Sequence, residues 1–199
     1  MLTLVVYVPG AGGNHLKNLL CLSSSYANHS DLDPDVYEKP DPNRPDGEVW
    51  CVGGRNLQAI FFERMHHRPN DNWVLAAHVG EMFEYQQQLS AIDHKQMIVV
   101  TLDAPKARRQ LDQRQLRLGQ CIHPYWLDEE LTWLYRPNTL QKLFDQTTDH
   151  YHSLCIEDFW QEDFVQLEFA KLTAWLNVDV DVGSADRYHR LWCRANQFG

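Results

Sequence analysis

At 199 residues, with 44% hydrophobic side chains and seven tryptophans, the chain is long and apolar enough for one folded domain, 1–199, around a substantial core. A formal net charge of −9 excludes a general nucleic-acid binder, which needs a basic footprint, so any anion site must be a local positive island on an acidic protein. The cysteines (Cys21, Cys51, Cys121, Cys155, Cys193) are odd in number, far apart and lack CxxC spacing, which speaks against zinc or disulfides and for reduced thiols in a cytoplasmic setting.

The chain opens on Leu2-Thr3-Leu4-Val5-Val6-Tyr7-Val8, an apolar, β-branched run that reads as a strand buried on both faces. It is too short for a signal peptide or a membrane span, so a soluble protein with no membrane partner is expected. Pro9-Gly10-Ala11-Gly12-Gly13-Asn14 breaks the strand, and His15-Leu16-Lys17-Asn18-Leu19-Leu20 restarts with helical spacing, Leu16, Leu19 and Leu20 on one face. Strand, glycine-rich turn and helix aim backbone N–H groups and a helix dipole at an anion, usually a phosphate. The alternative is a tight connection with no ligand. The turn is neither GxxxxGK followed by Ser or Thr nor GxGxxG, and Lys17 sits a turn into the helix.

From Asn28 to Gly47 come four prolines and five aspartates, with too little apolar surface to pack. This excursion reads as a solvated loop and a candidate for the acceptor side, and it lacks the register of a calcium loop. Asn56 to His67 is expected to be helical, with Leu57, Ile60, Phe61 and Met65 on one face. Trp73 to Val79 is a second strand, and Glu81 to Ile92 a helix. Gln96 to Leu102 is a third strand. Asp103-Ala104-Pro105 then opens a helix to Leu118 that carries Lys106, Arg108, Arg109, Arg114 and Arg117, the densest positive charge in the chain.

Pro124 to Tyr135 and Leu140 to Gln146 read as further helices, and His152 to Ile156 as a fourth strand. Phe164 to Leu176 is amphipathic, with Val165, Phe169, Leu172 and Leu176 on its buried stripe. Val182-Gly183-Ser184 reads as a hinge before a last helix, Ala185 to Gln197. Buried-type strands alternating with amphipathic helices imply a three-layer α/β fold on a mainly parallel sheet. Ligands of such sheets bind beyond the carboxyl ends of the strands. That rule gathers the Gly10–Asn14 turn, His78 and the Asp103–Arg109 stretch along one edge.

Among these residues His78 is a candidate general base, or else a histidine closing a strand on a carbonyl. Arg108 and Arg109 suit bidentate contact with an anion, or local pairing such as Arg108 with Asp112. His66-His67 and His150-Tyr151-His152 lack a third ligand, and no metal is expected. Arg187, His189, Arg190, Trp192 and Arg194 give the tail a basic, aromatic character suited to a phosphate or base, to packing on the sheet edge, or to a homodimer contact.

Four segments, in order, resemble the sulfotransferase family. Pro9 to Leu20 resembles the phosphosulfate loop PKSGTTWLQNLL, and Val74 to Val79 the strand bearing the catalytic histidine. Ile98 to Lys106 resembles IYVVRNPKD, and Cys155-Ile156-Glu157-Asp158-Phe159 with the helix to Val178 resembles the YEDL … FLGL segment. The resemblance implies a P-loop NTPase/sulfotransferase-like fold that binds 3′-phosphoadenosine 5′-phosphosulfate (PAPS). It implies sulfuryl transfer to a hydroxyl or amine of a small-molecule or glycan acceptor. By position, Gly10, Ala11, Gly12, Gly13, Asn14 and His15 would hold the 5′-phosphosulfate, and His78 would take the acceptor's proton. The Lys106–Arg109 region would meet the 3′-phosphate. Gly10 stands where the family has a lysine, and Leu102 or Asp103 where it has an arginine, so Lys17, Arg108 or the tail arginines would have to substitute. Two other readings remain open here: a P-loop-type nucleotide-binding or kinase-like protein using ATP, and a non-catalytic binding protein on the same fold.

Overall fold

Four strands pair side by side, and their order sets where a ligand would sit. The computed structural model describes residues 1–7, 12–27, 59–101 and 150–195. In it β1 (Leu2–Tyr7) is flanked by β2 (Trp73–His78) on one side and β3 (Lys95–Thr101) on the other, with β4 (His150–Cys155) beyond β3. All three pairings are parallel, with Tyr7 opposite His78, Val6 opposite Val99 and Thr101 opposite Cys155. Every residue of β1 is buried, as its lack of apolar–polar alternation predicts for a strand covered on both faces. Its one polar side chain, Thr3, meets the Tyr26 hydroxyl at 3.2 Å and so carries no unsatisfied group into the core.

Helices flank this sheet, giving an α/β fold. Helix α1 (Gly13–Cys21) lays Leu16, Leu19 and Leu20 into the core at 0% exposure. Each contributes about 2 kcal/mol by leaving water. Helix α2 (Ala59–His67) rests Phe61, Phe62 and Met65 on the same core. The helix expected over 81–92 is two: α3 (Val79–Glu84) and α4 (Gln86–Ser90). Tyr85, at φ −105° and ψ 21°, leaves helical geometry, its N–H closing α3 on Glu81 and its carbonyl opening α4 to Leu89.

After β4 the chain makes a 3₁₀ turn (Ile156–Trp160) and then a π turn (Val165–Phe169) that runs into α5 (Ala170–Leu176). The expected single α-helix therefore starts wide, Phe169 bonding back five residues to Phe164 at 3.0 Å. The stripe of Val165, Phe169, Leu172 and Leu176 is buried throughout. Asn177, at φ 53°, ends α5 in a left-handed cap in which Val178 reaches Thr173 and Asn177 reaches Ala174.

Val182-Gly183-Ser184 is not a hinge but the first turn of α6 (Val182–Ala195). Asp181 makes the difference. Its carboxylate accepts the Ser184 N–H at 2.7 Å and its carbonyl the Ala185 N–H at 2.9 Å, so the helix starts at its cap. Among the described residues no helix is long and apolar enough to cross a membrane. The excursion at 28–47 and the helices expected at 105–118, 124–135 and 140–146 lie outside the described residues.

Candidate functional site

From β1 the chain passes to β2 on one side, then crosses β1 to reach β3 on the other. The direction of winding therefore reverses between β1 and β3, and the crevice beyond their carboxyl ends is the favoured ligand position in such a sheet. Tyr7, His78, Thr101 and Cys155 mark that edge. Helix α1 starts there, six residues after β1 ends, and His78 stands one strand away, in register with Tyr7. Topology thus brings the Gly12–Asn14 turn and His78 to one edge. Gly10, Ala11, Arg108 and Arg109 lie outside the described residues.

The two described glycines of the turn answer to the protein's own packing. Gly12 caps α1 at φ 73° and ψ 11°, a left-handed conformation that side chains disfavour. A Cβ placed on it would also come 3.1 Å from the buried Phe159 ring. A Cβ on Gly13 would clash with the ring of Tyr7. Strand–helix packing by itself requires glycine at both positions, whether or not a ligand docks against their amides.

What the turn does leave is the start of a nine-residue helix. Its first intrahelical bond is from the Leu16 N–H to the Gly12 carbonyl, 3.0 Å, so the N–H groups of Gly13 and Asn14 precede any helical acceptor. Among the described residues no side chain caps this end, and its first turn holds no acid. Among the described residues nothing compensates the positive end of the dipole there.

His15 faces the other way. Its ring is 1% exposed, stacked on Trp192 at 4.1 Å and on Tyr188 at 5.7 Å, each within 8° of parallel. Its Nε2 lies 3.0 Å from Nδ1 of His189. Burial, then the neighbouring His189, hold the His15 pKa well below the ordinary imidazole value, and burial pushes His189 down to about 4. At neutral pH both rings are neutral, one donating to the other. His15 can offer the edge its backbone but not its ring. Asn18, one turn on, donates from Nδ2 to the Tyr188 hydroxyl at 2.9 Å. Lys17, half-buried, stands four residues past Gly13, about 6 Å along the axis.

The tail resolves in the same way. Trp192 and His189 are packing residues between α6 and α1, while Arg187, Arg190 and Arg194 face outward. Arg190 is held by Asp186 at 2.7 Å. The aromatic half of the tail is therefore occupied in packing against α1.

His78 ends β2 and begins α3. Its N–H donates to the Glu81 carboxylate at 2.8 Å, which fixes the backbone. Its ring meets the Tyr7 ring edge-on, centroids 4.7 Å apart and planes at 68°. Burial pushes its pKa down to about 4, so the imidazole is neutral at physiological pH and a weak base. At the far end of the edge the Cys155 thiol donates to Glu157 Oε2 at 2.6 Å, and burial, with that carboxylate, pushes the thiol up to about 11.

Tyr7, Glu81 and Phe159 are site neighbours that the sequence reading did not single out. Only Glu81 carried a local signal, a carboxylate three residues after a strand's last residue. Among the described residues no three His, Cys, Asp or Glu side chains come together as a metal site. No protein-family model, curated protein or solved structure matches the chain.

Proposed function

We propose that this chain is a sulfotransferase-like protein that takes a phosphate-bearing nucleotide, PAPS, at the carboxyl edge of its sheet. One observation carries the reading: the start of α1, which no side chain caps among the described residues and whose first turn holds no acid, lies at the reversal point of the sheet, with a neutral imidazole one strand away. The nucleotide would supply the sulfuryl group. The chain's own part is to hold the anionic end against the Gly13 and Asn14 amides, to add the charge of Lys17, and to accept the acceptor's proton at His78.

A multiply charged anion beside His78 favours the imidazolium and raises its pKa toward the working range, so binding would activate the base. With Gly10 in the place of the loop lysine, the leaving phosphate loses a charge worth a few kcal/mol in the transition state. Slow turnover follows, and Lys17 and the amides carry the remaining stabilisation.

The inward-turned His15 ring and the missing lysine favour a second reading, a protein of this fold that binds the nucleotide without transferring sulfate. Thermal denaturation with adenosine 3′,5′-bisphosphate tests what both share. A ligand at a hundred times its Kd stabilises by about 2.7 kcal/mol, several degrees in melting temperature. Lys17→Ala should weaken the bisphosphate about tenfold, about 1.4 kcal/mol. No shift at millimolar bisphosphate ends both readings, and a larger shift with ATP and magnesium replaces them by a kinase-like one. A sulfate-release assay then separates the transferase from the binder.

A further inference from the structure

Tyr7 touches both halves of the proposed site. It closes β1 at 3% exposure, with one side of its ring filling the place that a Cβ on Gly13 would occupy. The same ring lies edge-on to His78, its register partner on β2, at 4.7 Å. The first residue of α1 and the imidazole are thus separated by one buried ring. No slack is available on the α1 side, because Gly13 is itself buried and already lacks a side chain.

We infer that Tyr7 is the positioning residue of this edge, its ring setting the orientation and hydration of His78 and coupling the imidazole to the start of α1. The inference rests on the reading of that edge as the anion site. A displacement of α1's first turn moves the Tyr7 ring, and the ring moves or uncovers His78. Glu81 holds the His78 backbone from the opposite side, accepting its N–H at 2.8 Å, so the strand end stays in place while the ring responds. Among the described residues, Tyr7 faces His78 from β1 and Glu81 meets it from α3, and both are titratable. Neither takes part in bond making. Tyr7 acts through the histidine it walls in.

The experiment is an NMR titration of ¹³C-labelled histidine in the full chain, with adenosine 3′,5′-bisphosphate binding measured separately. Tyr7→Leu opens one wall of the imidazole, and the His78 midpoint is expected to rise by about one pH unit or more from about 4 toward its ordinary 6.5. Tyr7→Phe keeps the ring and should leave the midpoint as in the parent. Gly13→Ala, whose added methyl meets the Tyr7 ring first, should shift the His78 resonances by displacing Tyr7. If Tyr7→Leu cannot be obtained folded, Gly13→Ala against Tyr7→Phe decides. An unmoved His78 in a folded Tyr7→Leu or Gly13→Ala chain overturns the inference, as does a Tyr7→Phe midpoint that departs from the parent's. Failure of the parent to bind bisphosphate while these shifts occur would instead remove the anion reading and leave the coupling standing.

Discussion

His15 and His189, 174 residues apart in the chain, meet at 3.0 Å between Nε2 and Nδ1 inside the seam of α1 and α6. A pair of neutral imidazoles can share only one proton in that gap, so the seam is specified by tautomer as well as by shape. Trp192 and Tyr188 lie parallel to the His15 ring, and Asn18 reaches the Tyr188 hydroxyl. The helix whose start forms the candidate site is thereby tied to the last helix described.

That seam should be strongly destabilised by truncation. His15→Ala leaves a void between aromatic rings and strands the His189 nitrogen, a loss of about 3 kcal/mol. His189→Ala should cost a similar amount. The two together should cost less than their sum by about 1 kcal/mol, the coupling of one buried hydrogen bond. Urea denaturation of the four proteins measures it. Strict additivity would mean that the imidazoles do not interact.

Stability should fall on mild acidification. His78 and His189 have folded pKa values of about 4 against an ordinary 6.5, and His15 is lowered in the same direction, in each case by burial first. Below 6.5 the unfolded chain binds protons that the folded chain refuses. The stability is therefore fully present above 6.5 and is lost as pH drops toward about 4, by at most about 1.4 kcal/mol per pH unit for each group. This window lies above that of Asp181 and Asp186. Hydrogen bonds from Ser184 and Arg190 respectively hold those carboxyls below the usual range, so their contribution is lost only at lower pH. Urea midpoints at pH 7 and pH 5 test the slope, and equal midpoints would contradict it.

Three glycine-to-alanine exchanges should separate by environment. Gly12→Ala meets a left-handed backbone and the Phe159 ring, and should destabilise by about 1–2 kcal/mol. Gly13→Ala must displace the Tyr7 ring from a buried strand end and should cost more, about 2–3 kcal/mol. Gly183→Ala, in the exposed first turn of α6 with nothing nearer than the Asp181 carboxylate at 3.5 Å, should be neutral or stabilise by about 0.5 kcal/mol. Melting temperatures in that order support the packing account. Tolerance at Gly13 would show that the ring is not wedged there.

The strands and helices among the described residues were legible because their signals are local. Uninterrupted apolar runs marked β1, β2 and β3 to within a residue or two, and Leu16, Leu19 and Leu20 marked the inner face of α1. Local signals mislead where they compete. Gly183 reads as a break, yet Asp181 caps the turn that holds it, and Tyr85 splits a helix that periodicity alone would continue. The meeting of the glycine turn with His78 was also foreseeable, since parallel order and one sheet rule place both at the carboxyl edge.

The sequence by itself determined the parallel sheet, the inward faces of its helices and the edge where chemistry would be sought, all of which follow from the spacing of apolar residues along the chain. Only the tertiary structure decided which way His15 turns, why residues 12 and 13 are glycine, and that Tyr7 stands between α1 and His78. Those facts belong to contacts between segments far apart in the chain. Burial energy and steric fit act on such contacts without regard to the number of residues between them, so no pattern of neighbours along the chain records them.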